Sequence, residues 1–251
     1  MVDNLLLSPS SINDFLQCPA KFWYIRKFKP LPIKTEAMQF GSILHNIIAT
    51  YYKIIPDDLT PNRCFIYIRN AIEQVVGSQS LNTVLKKFSW HLSRFEKFEK
   101  ERLSWHISPK PLGVEKEVIK PPFKGIVDAI FKKGNEMVVV DWKSGRSPNQ
   151  IPDEYAIQGC IYGYLTNASE IIFYFLGSGR SLRVEYNHCE KVKDTINTVI
   201  KKIKEGHFEK KPGSHCETCP VQIPCYLDKI GGLEVLDLQA VYNSVPSKKT
   251  L

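Results

Sequence analysis

The chain has 251 residues, 43% of them hydrophobic and 24% charged, a balance that fills a normal core and excludes an intrinsically disordered chain. Lys and Arg outnumber Asp and Glu by 34 to 26, giving a net charge of +8. Such an excess favours a polyanionic partner such as nucleic acid. The N-terminus "MVDNLLLSPSS" has no basic segment and only three consecutive leucines, so neither a signal peptide nor an anchor is expected. The longest apolar run, "IIFYFL" at 171–176, is too short to span a bilayer. A soluble, cytoplasmic protein with no membrane partner is the expectation. Seven cysteines, an odd number without an export signal, argue against a disulfide framework and for thiols or metal ligands.

In chain order, "SSINDFLQ" after Pro9 predicts a short helix, with Ser11 and Asp14 as a capping-box-like start and Ile12, Phe15 and Leu16 on its apolar side. Cys18-Pro19 interrupts it, and Pro19 suits the first turn of a second helix, "AKFWYIRKF". Residues 38–54 read as a helix with Ile43, Ile47 and Ile48 at helical spacing and His45 within it. Two more helices are predicted over 62–78 and 81–106, the second rich in aromatic and basic residues. The period then changes to two: "LGVEKEVI" (112–119), "FKGIVDAIFKK" (123–133) and "EMVVVDWK" (136–143) read as strands, the last two joined across Gly134-Asn135. A helix over 153–168, strands near 170–176 and 182–187 and a helix near 191–205 follow. A cysteine-rich loop and a polar tail close the chain. This order predicts an α/β fold, a mixed sheet flanked by helices.

The chemistry concentrates in "VVVDWKSG" (138–145). Strand side chains alternate, so Asp141 and Lys143 share one face and Trp142 points to the other. Asp128, in the apolar stretch "GIVDAI" of the preceding strand, is expected to be partly buried. An unpaired buried carboxylate is costly. Two carboxylates brought together there need a cation, which a divalent metal could supply, with Lys143 beside it to neutralise a phosphoryl oxygen or orient a water. A strand-end ion pair of Asp141 with Lys143 is the plainer alternative. A lone His45 on an apolar helix is more often a core residue than a ligand. Gln158 and Tyr162, four apart, share a helix face. Near the C-terminus, Cys216, Cys219 and Cys225 put three thiols within ten residues. Zinc completed by His215 or His207, and an iron–sulfur cluster completed by a distant cysteine, are both open.

Taken together, "LSPSSINDFLQCPAKF", "GSILHNII", "GIVDAI", "VVVDWKSG", "QGCIY" and the Cys216–Cys225 cluster resemble, in order from residue 7 to 226, the iron–sulfur subgroup of the RecB-like PD-(D/E)XK nucleases. That subgroup includes the AddB nuclease domain and the CRISPR-associated RecB-type exonucleases. The resemblance implies a restriction-endonuclease-like mixed sheet with a helical insertion at about 56–110 and an iron–sulfur-clipped C-terminal segment. It implies one nuclease domain over 1–230, its iron–sulfur segment at 207–227 plus Cys18, and a tail over 231–251.

By the same resemblance, His45, Asp128, Asp141 and the carbonyl of Trp142 would bind Mg²⁺ or Mn²⁺. Lys143 would assist attack by water on the phosphodiester, and Gln158 and Tyr162 would position DNA. Cys18 would join Cys216, Cys219 and Cys225 around a 4Fe–4S cluster, leaving Cys64, Cys160 and Cys189 as ordinary buried thiols. The family's further acidic residue would be Glu115 or Glu117, with Glu115 preferred. The implied activity is metal-dependent DNA hydrolysis, exonucleolytic on single-stranded ends or overhangs, in CRISPR adaptation or in repair and recombination, with other proteins of those pathways as partners. A nuclease-like fold that binds DNA or a partner protein with little cleavage is the alternative. The 56–110 segment suits a single-strand stacking platform or a solvated pair of amphipathic helices equally.

Overall fold

The computed structural model describes residues 5–30 and 35–229; the expected tail at 231–251 lies outside them. Helix α1 (Pro9–Gln17) starts one turn earlier than Ser11 and Asp14 suggest. Ser8 is the cap: its hydroxyl accepts from the Ser11 N–H while the Ser11 side chain accepts from the Ser8 N–H, with Pro9 in the first turn. Asp14 is left to pair with Lys21 at 2.7 Å. Helix α2 (Pro19–Phe28) follows with Pro19 at its start, as expected.

Thr35 caps α3 (Glu36–Ile54), and α4 (Cys64–Val76) and α5 (Leu81–Ser104) form the two expected insertion helices. Strands β1 (Gly113–Lys120), β2 (Phe123–Lys133) and β3 (Glu136–Lys143) pair antiparallel, β2 and β3 turning at Gly134, whose φ of 60° suits glycine. Helix α6 (Asp153–Thr166) then carries the chain to β4 (Glu170–Phe175), which lies parallel to β3. Strand β5 (Arg180–Val184) completes a five-stranded mixed sheet in the order β1-β2-β3-β4-β5. Tyr186 and Asn187 fall in α7 (Tyr186–Lys204) rather than in the expected strand, so that helix begins five residues early. A short helix, α8 (Gln222–Lys229), ends the described chain. Among the described residues no helix is long and apolar enough to cross a membrane.

Two compact units result. One spans 35–193 and contains the sheet; the other joins the two ends of the chain, 7–30 and 194–229. In the sheet unit the period-two pattern divides the strands cleanly. Val138, Val140 and Trp142 of β3, with Ala129 and Phe131 of β2, pack into one core with α3, α4 and α5. The alternate residues of β3, Val139, Asp141 and Lys143, lie on the opposite face, where α6 sends Gln158 to Asp141 and Lys143.

The core holds one buried ion pair. Glu99 and Arg102 of α5 are fully buried. The Glu99 carboxylate accepts from Arg102 Nε and Nη2, both at 2.7 Å, from Tyr51 at 3.0 Å and from Tyr52 at 2.5 Å. Arg102 also donates to the carbonyls of Ser108 and Pro109, on the segment leading into β1. Every partner is met, which is the condition under which such a pair is tolerated. Arg102→Met is expected to destabilise the fold by about 3–5 kcal/mol, because it strands the Glu99 carboxylate; urea unfolding measures it.

One sequence expectation is corrected here. Cys160 and Cys189, expected as buried thiols, are half-buried and form a disulfide between α6 and α7, with Cα atoms 5.4 Å apart. Only the packing of the two helices brings together residues separated by 29 positions. Cys64 is a buried free thiol, as expected. Closing a loop of that length restricts the unfolded chain by about 3–4 kcal/mol. Reduction, or Cys189→Ser, is therefore expected to lower the thermal midpoint of the oxidised protein, read by calorimetry with and without dithiol.

Candidate active site

The ladder between β2 and β3 ends at Ala129↔Val140. The next residues are Asp128 and Asp141, and in place of a further rung the Trp142 N–H donates to Asp128 Oδ2 at 2.9 Å. On the other side of β2, Val114 pairs with Ala129 and Lys116 with Val127, so Glu115 stands beside Asp128. Glu115 has φ 47°, a left-handed conformation costing a non-glycine residue about 1–2 kcal/mol. Strain of this kind persists where the surroundings impose it. Its Oε1 lies 3.8 Å from His45 Nδ1, which lies 3.5 Å from Asp128 Oδ2. One ligand atom from each of His45, Glu115 and Asp128 falls within 4.8 Å of the others, the only such group of histidine, cysteine or acidic residues among the described residues. Glu117 is not part of it.

Asp141 is only 3% exposed. Its Oδ1 accepts from Gln158 Nε2 at 2.9 Å. Its Oδ2 forms an ion pair with Lys143 Nζ at 2.8 Å. Lys143 donates to Gln158 Oε1 at 2.9 Å, and its Nζ sits 5.2 Å from the ring centres of Tyr155 and Phe173. Gln158 Nε2 also donates to Tyr162 Oη at 3.0 Å, and Tyr162 donates to the Ile126 carbonyl at 2.7 Å. Gln158 and Tyr162 are thus engaged within the site. A Cβ on Gly125 would approach Tyr162 Cε1 to 2.9 Å, so the bare backbone of "GIVD" makes room for that ring. Trp142 contributes its backbone N–H here, while its indole is buried on the other face of the sheet.

Electrostatics match this crowding. Burial and the Asp141 charge push the Asp128 carboxyl well above the ordinary carboxylate range, against the opposing pull of His45 and the Trp142 N–H. Burial disfavours the charged His45 ring, but Glu115, Asp128 and Asp141 outweigh it and raise its pKa. Both shifts favour the protonated forms, which a bound cation would oppose.

The chain-end unit holds the cysteines. Cys18, Cys216, Cys219 and Cys225 line one cavity of about 360 Å³, together with Lys21, Lys210 and His215. The Lys211 N–H points to Cys18 Sγ at 3.4 Å. Burial pushes the Cys219 and Cys225 thiols up, while Lys21 pulls the first back and Lys210 the second. His207 is exposed and turned to Glu205 and Glu209.

Residues 6–226 match the PD-(D/E)XK nuclease superfamily. The chain belongs to this superfamily. Its (D/E)XK element reads Asp141-Trp142-Lys143, and Val127 stands before Asp128 where the superfamily's name has proline. Among solved structures, one described as the crystal structure of SSO0001 is similar at 18% identity, covering 75% of this chain and 96% of that chain. Its TM-score of 0.34 is too low to carry an argument. No curated protein matches the sequence. PD-(D/E)XK nucleases usually use Mg²⁺ or Mn²⁺. The donor set fits such an oxygen-seeking cation: acidic oxygens with one imidazole.

Because the folded-state pKa values of Asp128 and His45 are raised, the metal-free protein binds protons that the unfolded chain has lost. Its stability is therefore expected to fall as pH rises from the ordinary carboxylate value through the raised ones. Divalent cation reverses the slope. The gain in thermal midpoint with Mn²⁺ over EDTA should be larger at alkaline than at mildly acidic pH, and Asp128→Asn should flatten the metal-free profile.

Proposed function

We propose that this PD-(D/E)XK protein is a Mg²⁺- or Mn²⁺-dependent deoxyribonuclease, an exonuclease on single-stranded DNA ends or overhangs, built around a structural 4Fe–4S cluster. The observation that carries the hydrolytic reading is the convergence of His45, Glu115 and Asp128 beside a buried Asp141 oxygen and the Lys143 ammonium. A protein that only held DNA would have no need to gather three carboxylates, one of them buried, beside a lysine.

In this reading His45, Glu115, Asp128, Asp141 and the Trp142 carbonyl hold the cation, and Glu115 takes the place that its spacing shares with Glu117. When bound, the cation lowers the pKa of water and neutralises charge on the phosphodiester. Lys143 stabilises the negative charge that builds on a phosphoryl oxygen and orients the attacking water. Gln158 fixes that ammonium through its carbonyl and Asp141 through its amide. Tyr162 holds Gln158 in turn, which keeps Lys143 in one position as the substrate arrives.

Cys18, Cys216, Cys219 and Cys225 are the cluster ligands in this proposal. Four thiols on one cavity flanked by lysines suit an anionic iron–sulfur centre. A single zinc would draw its thiolates to about 3.8 Å from one another, given Zn–S bonds near 2.3 Å. The four sulfurs are not drawn together so tightly in the metal-free chain, and metal analysis decides between zinc and iron. The role is structural: the cluster ties residue 18 to residues 216–225 and so joins the two chain ends that make up this unit. A soluble, cytoplasmic enzyme of CRISPR adaptation or of repair and recombination, working with other proteins of that pathway, follows from the same reading.

The test uses anaerobically purified protein and end-labelled DNA, linear and circular, single- and double-stranded, in Mn²⁺. Ladders from one end of single strands are expected. Asp141→Ala and Lys143→Ala should each cut the rate at least about a hundredfold while leaving the brown chromophore intact. Full activity in both variants would overturn the catalytic assignment, and DNA retention without cleavage would favour a binding module. Iron and sulfide near four per chain are expected, and about one zinc instead would overturn the cluster.

A further inference from the structure

Trp90 is the most exposed of the large aromatic side chains on α5, at 60%. The core positions around it are taken by Phe88 and Leu92, both buried, so the fold has no need of a tryptophan there. Yet its ring is held in place. The indole N–H donates to the Gly177 carbonyl at 3.3 Å, and the Arg94 guanidinium lies over the ring, 3.3 Å from its centre. Arg94 Nη1 also donates to the Trp90 carbonyl at 3.2 Å, and a Cβ on Gly179 would crowd Arg94 Nε at 3.0 Å.

The anchor point matters. Gly177 donates to the Gly145 carbonyl at 2.9 Å, and Leu176 to the Lys143 carbonyl at 2.8 Å. Gly177 must be glycine, since a Cβ would meet the Gly145 carbonyl oxygen at 2.5 Å. Trp90 is thereby fastened to the paired loops that leave the C-terminal ends of the parallel strands β3 and β4, directly after Lys143. Ligands of α/β sheets bind at these ends. The loops 144–148 and 177–180 carry Arg146 and Arg180 and no acidic residue, a charge suited to a phosphate backbone.

We propose that the free face of Trp90 stacks one base of a single-stranded DNA substrate beside the scissile phosphate, with Arg94 backing the ring. This rests on the nuclease reading and extends it from the reacting phosphate to the neighbouring nucleotide. Indole stacks on any base, so the site confers grip on unpaired strands without sequence preference. A paired base has its faces covered by its neighbours and cannot use it.

The test measures binding of a short single-stranded oligothymidylate to the full-length, cluster-replete protein by quenching of tryptophan fluorescence, and, separately, cleavage in Mn²⁺. Trp90→Ala should weaken binding and raise KM about tenfold with kcat nearly unchanged. Trp90→Phe should recover most of the affinity while losing the quench. An abasic-site scan supplies the readout that a merely structural role would not move: one position should cost the wild type about tenfold and Trp90→Ala nothing. Unchanged KM and quench in the variants, with wild-type cleavage intact, overturn the stacking site and leave the nuclease reading standing. Absence of single-strand binding by the wild type also overturns it. Binding with the predicted abasic pattern but no cleavage supports the stacking site and overturns the nuclease reading instead.

Discussion

Mutual repulsion among Glu115, Asp128 and Asp141 is the constraint around which the sheet unit is organised. Three carboxylates on three adjacent strands cannot share a half-buried volume as free anions. The protein meets the difficulty with local devices, each visible in the geometry. Asp128 takes the Trp142 N–H, Asp141 takes the Gln158 amide and the Lys143 charge, and His45 faces both Glu115 and Asp128. The three carboxylates outnumber the two cationic groups, His45 and Lys143, that face them. A divalent cation, of the kind PD-(D/E)XK nucleases usually use, would complete the arrangement.

Strands are suited to this work because their spacing is fixed. One face of β3 is committed to the aromatic core through Trp142, which meets Tyr52 at 5.3 Å and Phe95 and Phe98 at 6.2 Å between ring centres. That burial locks the register, since a slip by one residue would drive Asp141 and Lys143 into the core. Helix α5 is tied to the same scaffold near its C-terminal end, through Arg102 to the segment entering β1, and in its first half, through Trp90 to the loop leaving β4.

How much of this could be read beforehand depended on the range of the interaction. "VVVDWKSG" gave away Asp141 and Lys143 because period two is local, and the spacing of Gln158 and Tyr162 is likewise a single helical turn. Glu115 and Glu117 differ by two positions and so share a strand face, and pattern alone could not separate them; the left-handed backbone at Glu115 does. The first helix was misread by one turn because Ser8 and Ser11 cap as well as Ser11 and Asp14 would. Pairing of Cys160 with Cys189 and the meeting of Trp90 with Gly177 depend on tertiary packing across 29 and 87 positions. No periodicity encodes these.

The disulfide bears on the site through helix geometry. Gln158 and Tyr162 are four apart and share the face of α6 that meets the sheet, and Cys160, two positions from each, projects from the opposite side. Its bond to Cys189 therefore holds α6 from behind, while Gln158 grips Lys143 and Asp141 in front. A helix that holds the Lys143 ammonium through one side-chain amide keeps that contact only while it does not slide. The crosslink sits where such sliding would otherwise be least opposed. It fixes α6 against the start of α7, and in the other unit four cysteines gather on one cavity.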